Sequence, residues 1–279
     1  MTTLHLCAII RVSNREGIQM IDKKELLDIG EYLKKNGYVI AKSNALIQKA
    51  RYKLTLQQQR IILYAISMIK PEDTELHEYQ FDLRELCRDC GITYNGNNYN
   101  HFKEAITTLA SQVFWITKEN GEQTLCHWIT KARIDKNNTT VSIRLDEDLK
   151  PYLLELRNNY TLLDKSILRM KSAHSQRLYE ILFSYRHLGR FDTTVKRLKE
   201  LLFVSDKYPE YKEFKRNLLE KALKEINALG ELYITYEEIK ENRAVSEIKF
   251  TIDNFQKNPT IAQNITEYTR NLFPNELRK

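Results

Sequence analysis

Lys212, Lys215, Arg216 and Lys221 crowd one short stretch in which Phe214, Leu218, Ala222 and Ile226 recur every fourth residue. Apolar residues at that period mark the buried stripe of a helix, so the cations project from its other sides. The helix is expected to start near Pro209 and to stop before Gly230. Guanidinium and ammonium groups on such a face suit a polyanion. Arg pairs bidentately with guanine, while Lys and the first amides of a helix suit phosphate. Arg216 and Lys212 are therefore candidates for base contacts, and Lys215 and Lys221 for phosphate contacts. Lys240 and Arg243 flank the turn between two strand-like runs, where basic side chains would add phosphate contacts. Lys171, Ser175 and Arg177, near the start of an earlier helix over 173–186 expected to cross in front of this one, are candidates to anchor a nucleic-acid backbone. The same lysines also fit the solvated side of a surface helix, and the turn also fits an ordinary polar loop.

The elements that must position these residues occur twice. Displaced by 112 positions, Leu83, Leu86, Phe102, Lys103, Ile106 and Phe114 fall without a gap on Val195, Leu198, Phe214, Lys215, Leu218 and Ile226. Displaced by 117, Thr55, Gln59 and Arg60 fall on Ser172, Gln176 and Arg177, and Trp115-Ile116-Thr117 resembles Tyr233-Ile234-Thr235 farther along. Each copy reads as helix, short strand, helix, turn, helix and hairpin, the order of a winged helix. The expected fold is α+β: two tandem winged-helix domains related by internal duplication. In the first copy Lys103 is retained as a DNA-contact candidate, but Glu104 stands where the second copy has Arg216, and Thr107, Thr108 and Ser111 replace charges. Lys118, Lys131 and Arg133 fall in its strands. Trp115, Cys126 and Trp128 fit either strand pairing with another subunit or the core.

Charge points the same way. Residues 165–224 carry 15 Lys and Arg against 7 Asp and Glu, a net +8, whereas the remainder carries 29 against 30. A local excess of that size is the electrostatic footprint of a polyanion partner. The 279 residues suggest about two domains. No window has the roughly 18 uncharged apolar residues of a membrane span, and the N-terminus lacks signal-peptide features. The expected setting is cytoplasmic, with no membrane partner. Met20 is an alternative start, and Lys23 to Lys35 a short amphipathic helix.

Catalytic and metal chemistry find little support. Cys87 and Cys90 form a Cys-x-x-Cys pair, but Cys126 and His127 are adjacent and point to opposite faces of a strand. With Cys7 the only other cysteine, buried thiols fit better than a metal site. There is no Gly-x-x-x-x-Gly-Lys phosphate loop for an ATPase and no His-x-His pair for a metal-dependent nicking enzyme. Asp146-Glu147-Asp148 reads as helix capping. No catalytic residue, metal or cofactor is expected.

Phe81-Asp82-Leu83-Arg84-Glu85-Leu86, Ser175-Gln176-Arg177-Leu178-Tyr179-Glu180, and Phe214-Lys215-Arg216 leading to Lys224-Glu225-Ile226-Asn227 resemble the plasmid replication-initiator (iteron-binding Rep) family. The resemblance spans about Asn44 to Ile252. It implies double-stranded DNA as partner: tandem direct repeats at an origin, bound by monomers that open the adjacent A·T-rich duplex. It also implies a host initiator and helicase as partners. A homodimer in equilibrium with the monomer, formed through the first domain, would repress the protein's own gene at an inverted repeat. The expected division is an N-terminal extension (1–37), a first winged helix for self-association and minor DNA contacts (38–158), a second as main reader (159–253) and a tail (254–279). A dedicated repressor of palindromic sites and a winged-helix protein-interaction module are the alternatives.

Overall fold

The computed structural model describes residues 38–254 other than 71–72, 118–120, 138 and 157–159. The expected helix over Lys23–Lys35, the start at Met20, Cys7, Lys118 and the tail beyond Asn254 lie outside the described residues. The chain divides into two compact units, one ending at Ala173 and the other beginning at His174.

In the first unit, β1 (Tyr38–Ser43) leads into α1 (Asn44–Gln48), capped by Ser43. Helix α2 (Leu56–Ile66) opens on a capping box: Gln58 N–H donates to the Thr55 hydroxyl, and Thr55 N–H donates to Gln58 Oε1. Strand β2 (Glu78–Asp82) passes into α3 (Leu83–Asp89), where the Asp82 carboxylate accepts from Arg84 N–H. Gly91 follows at φ +67°, a backbone that a glycine adopts without strain. Helix α4 (Gly96–Ser111) starts five residues before the expected His101, because the Asn95 side chain accepts from Asn98 N–H and turns the polar stretch into a first helical turn.

Four strands follow: β3 (Val113–Thr117), β4 (Gln123–His127), β5 (Ile129–Ile134) and β6 (Thr140–Leu145). The sheet order is β2-β6-β5, and β3–β4 pair separately. Phe114 stacks on Trp128, with Tyr52 edge-on to both at centroid distances of 5.5 and 4.8 Å. After α5 (Lys150–Leu153), β7 (Tyr160–Asp164) returns to pair antiparallel with β1, Ala41 opposite Leu162. This corrects the expected boundary at 158/159. Strand β7 completes the first unit, and the Thr161 hydroxyl bonds to Asn44 Oδ1 across 117 residues of sequence.

The second unit holds α6 (Ala173–Ser184), β8 (Arg190–Thr194) and α7 (Val195–Leu201). A continuous helix over 211–229 comprises α8 (Tyr211–Phe214), a π turn (Lys215–Leu219) and α9 (Glu220–Leu229). Its N-cap is Glu210, and Pro209 stands directly before that cap, near the helix start. Strands β9 (Leu232–Glu241) and β10 (Ala244–Asn254) form the hairpin, and the sheet order is β8-β10-β9. Asn242 and Arg243 both have positive φ, 48° and 72°, as a two-residue type I′ hairpin turn requires.

By sheet position, β5 and β6 correspond to β9 and β10. The expected match of Trp115-Ile116-Thr117 with Tyr233-Ile234-Thr235 therefore fails, because Trp115 lies in the additional hairpin β3–β4. The equivalence of Phe114 with Ile226 fails too, since one is in a strand and the other in a helix.

Candidate nucleic-acid interface

The helix over 211–229 buries Phe214, Leu218, Leu219, Ala222, Leu223 and Ile226. Its outward residues form two rows at four-residue spacing, Lys212-Arg216-Glu220-Lys224 and Glu213-Asn217-Lys221, all exposed. Near its start, Glu238 on β9 accepts from Lys215 Nζ at 2.7 Å and from the Tyr211 hydroxyl at 2.9 Å. The hydrogen bond from Lys215 holds the Glu238 carboxyl below its ordinary range, and the same bond raises the Lys215 ammonium. Burial, then the bond to Glu238, raises the Tyr211 phenol. Near its end, the Asn227 side chain donates to the Ile234 carbonyl and accepts from Ile234 N–H at 2.7 Å. The helix is thus pinned to β9 at both ends, which fixes the direction of its outward rows. Upstream, Lys199 Nζ donates to the Tyr208 carbonyl at 2.6 Å and lies over the Phe214 ring, securing the turn before the helix.

The structure brings some candidates together and removes others. Lys212, Arg216 and Lys221 share the exposed face, and Lys240 and Arg243 are exposed about the wing turn. Lys215 is displaced from that group: it is half-buried and engaged by Glu238, so its charge is already met within the protein. Ser175 and Arg177 are corrected as backbone anchors, being 2% and 3% exposed. Arg177 NH1 faces Glu180 at 3.4 Å, a buried ion pair in the core of α6. Lys171 is exposed, but in the segment that ends the first unit. In α4, Lys103 is exposed with its ammonium over the Tyr99 ring at 5.9 Å. On β5, Lys131 and Arg133 are exposed, and Arg133 pairs with Glu78 at 3.2 Å. Glu238 and Tyr211 were missed as positioning residues, since nothing local pairs a helix residue with a strand partner 27 residues along, and Asn227 because its partner is the backbone of β9.

Two family models cover most of the chain: an initiator replication protein WH1 domain over residues 39–183 and an initiator Rep protein WH2 domain over 194–252. The chain belongs to the initiator replication protein family. The family's two domains are tandem winged helices, the first matched as far as α6 of the second unit, and the family is not a classical enzyme family. The crystal structure of the Pi initiator protein in complex with iteron DNA matches with a TM-score of 0.67 at 22% identity, covering 79% of this chain and 99% of that one. That likeness establishes the fold. Two structures of domains 2 and 3 of RctB match at 12% identity, with TM-scores of 0.45 and 0.44, too distant to bear on the site. They cover 71% and 76% of this chain, and it covers 80% and 84% of theirs.

The structure also redistributes the initiator's charge. Lys165, Arg169 and Lys171 belong to the first unit, and Lys165 is engaged with Asp89 and the Tyr64 ring. Within the second unit, residues 174–224 carry 12 basic against 7 acidic side chains, while 225–253 carry 3 against 7. The positive excess therefore belongs to the helices, with the hairpin acidic except about its tip. Cys87, Cys90 and Cys126 are buried cysteines outside any disulfide, and burial pushes the Cys90 thiol up to about 12. Among the described residues no group of three or more His, Cys, Asp or Glu is placed to hold a metal ion. No described helix is long and apolar enough to cross a membrane.

Proposed function

We propose that this initiator binds tandem direct repeats at a plasmid origin, one chain per repeat, reading bases through the helix over 211–229. Arg216 and Lys212 contact bases, Lys221 contacts phosphate, and the exposed Lys240 and Arg243 contact phosphate from the wing. The observation that carries this reading is the exposed Lys212-Arg216-Lys221 face, on a helix pinned at both ends in a replication-initiator winged helix. Lys103 on α4 and Lys171 add lighter contacts. Binding promotes opening of adjacent A·T-rich duplex and loading of a host helicase together with a host initiator.

A second activity, repression of its own gene by a homodimer at an inverted repeat, is favoured by a surface of the first unit. Val113, Trp115 and Leu125 share the outward face of β3–β4 and are 49%, 53% and 44% exposed. Exposed apolar side chains grouped on one hairpin mark an association surface. Of the three residues that fit either pairing or the core, Trp115 lies there. Cys126 and Trp128 are buried in the core.

The test is binding to duplexes carrying one, two or four copies of a selected repeat, with permanganate probing of flanking thymines. Stepwise addition of one chain per copy and reactive thymines on supercoiled DNA are expected. Binding only as a dimer to a palindrome, with no reactive thymines, would favour the dedicated repressor. No preference over random DNA would leave the protein-interaction module.

A further inference from the structure

The third helices of the two winged helices differ by one residue. In α4 the buried positions are Phe102, Ala105, Ile106 and Leu109; in the helix over 211–229 they begin Phe214, Leu218, Leu219 and Ala222. Two residues, Lys103 and Glu104, separate the first buried pair in α4, whereas three, Lys215, Arg216 and Asn217, separate it in the second unit. The displacement of 112 that aligns Phe102 with Phe214 becomes 113 from Leu218 onward. The π turn absorbs the extra residue: Glu220 N–H donates to the Lys215 carbonyl, five residues back. Such turns are rare and occur frequently at functional sites. This one keeps both buried runs facing the core while adding a side chain to the outward surface.

Lys215 is held by Glu238, so the added turn presents Arg216 and Asn217 outward. Asn217 is exposed between Glu213 and Lys221 at four-residue spacing, and its side chain makes no hydrogen bond or ion pair among the described residues. A neutral amide adds no charge for phosphate. It carries one donor and one acceptor side by side, the pattern complementary to N7 and N6 of adenine in the major groove. We propose that Asn217 is a specificity-determining residue that reads an adenine in the base pair next to the one read by Arg216, and that the π turn exists to present the two side by side. This rests on the DNA-reading role proposed above.

The test uses the full chain and a duplex obtained by selection, with each adenine replaced in turn by 7-deazaadenine, which lacks the N7 acceptor. Replacement at one position should weaken the unaltered protein about ten-fold or more. Asn217→Ala should bind the unmodified duplex correspondingly less well and be indifferent to the replacement at that position alone. Its melting temperature should match that of the parent, since the side chain is exposed and makes no hydrogen bond among the described residues. Retention of the full 7-deaza effect by Asn217→Ala would overturn the inference while leaving the proposed function standing. So would an equal loss on selected and random duplexes. No discrimination between selected and random duplex by the unaltered protein would overturn the inference together with the function it rests on.

Discussion

Arg60 in α2 and Arg177 in α6 stand at equivalent places in the two winged helices, and both are buried, yet each is satisfied differently. Arg60 donates from Nε and NH2 to the Leu168 and Met170 carbonyls, both at 3.0 Å, tying α2 to the segment that closes the first unit. Arg177 instead faces the carboxylate of Glu180, where the first copy has Leu63. The shared arginine is thus part of a repeated core, and its charge is spent inside the protein. The third helices teach the converse. Their buried faces are alike, but one shows Lys103 and Glu104 outward at the place where the other shows Arg216 and Asn217. The two copies keep the frame and differ on this exposed face.

The largest expected effects break the shared frame. Arg177→Ala leaves Glu180 buried beside the missing cation and should cost about 3–5 kcal/mol in urea unfolding. Arg60→Ala leaves two carbonyls without donors and should cost about 2–3 kcal/mol. A loss below about 0.5 kcal/mol for Arg177→Ala would return that residue to the anchoring role first read from the sequence, and one as small for Arg60→Ala would remove the tie between α2 and the end of the first unit. Next comes the divergent face: Arg216→Ala should weaken specific binding by about 1–3 kcal/mol and relax one base position. Glu104→Ala in the first copy should change binding by under about 0.5 kcal/mol. Equal effects at the two sites would make the copies equivalent readers.

The clamp on β9 gives a smaller effect with a defined sign. Glu238 is held below its unfolded value, so its contribution to stability is present above the ordinary glutamate range and is lost as pH falls through the lowered folded value. The melting-temperature gap between the parent and Glu238→Gln should therefore persist from neutral to mildly acidic pH and close on further acidification. Lys215→Ala should lower stability and leave the salt dependence of binding nearly unchanged. A fall of about one in the salt slope would restore it as a phosphate contact. The smallest effect is expected at the wing. Arg243→Gly suits the positive φ of the turn, so stability should hold or rise by under about 1 kcal/mol. Loss of its cation should reduce the salt slope by about one.

Much of this was legible in the chain itself. The stop at Gly230 and the apolar residues at helical spacing marked the helix over 211–229, because those signals lie within a few residues of what they control. The pairing of Tyr38–Ser43 with Tyr160–Asp164 left no such mark, since each strand alone is a short apolar run and the partner is over a hundred residues away. A gapless alignment also concealed the π turn, which becomes visible only when buried positions are compared. Arg177 and Ser175 misled for a related reason: a polar residue at a helix start reads as exposed until the packing around it is known. Within the site, the cations were legible from spacing, whereas the Glu238 contact that removes Lys215 from the exposed group was not.

The central claim is that the second winged helix is the principal reader of DNA. Selection of bound duplexes from a random library, followed by footprinting of the winner with the parent, Arg216→Ala and Lys103→Ala proteins, tests it most directly. The account predicts an asymmetric site of about two helical turns bound by one chain. Arg216→Ala should lose the specific footprint, and Lys103→Ala should keep it with slightly weaker protection. A footprint that survives Arg216→Ala and is lost with Lys103→Ala would contradict the account and assign the reading to the first winged helix.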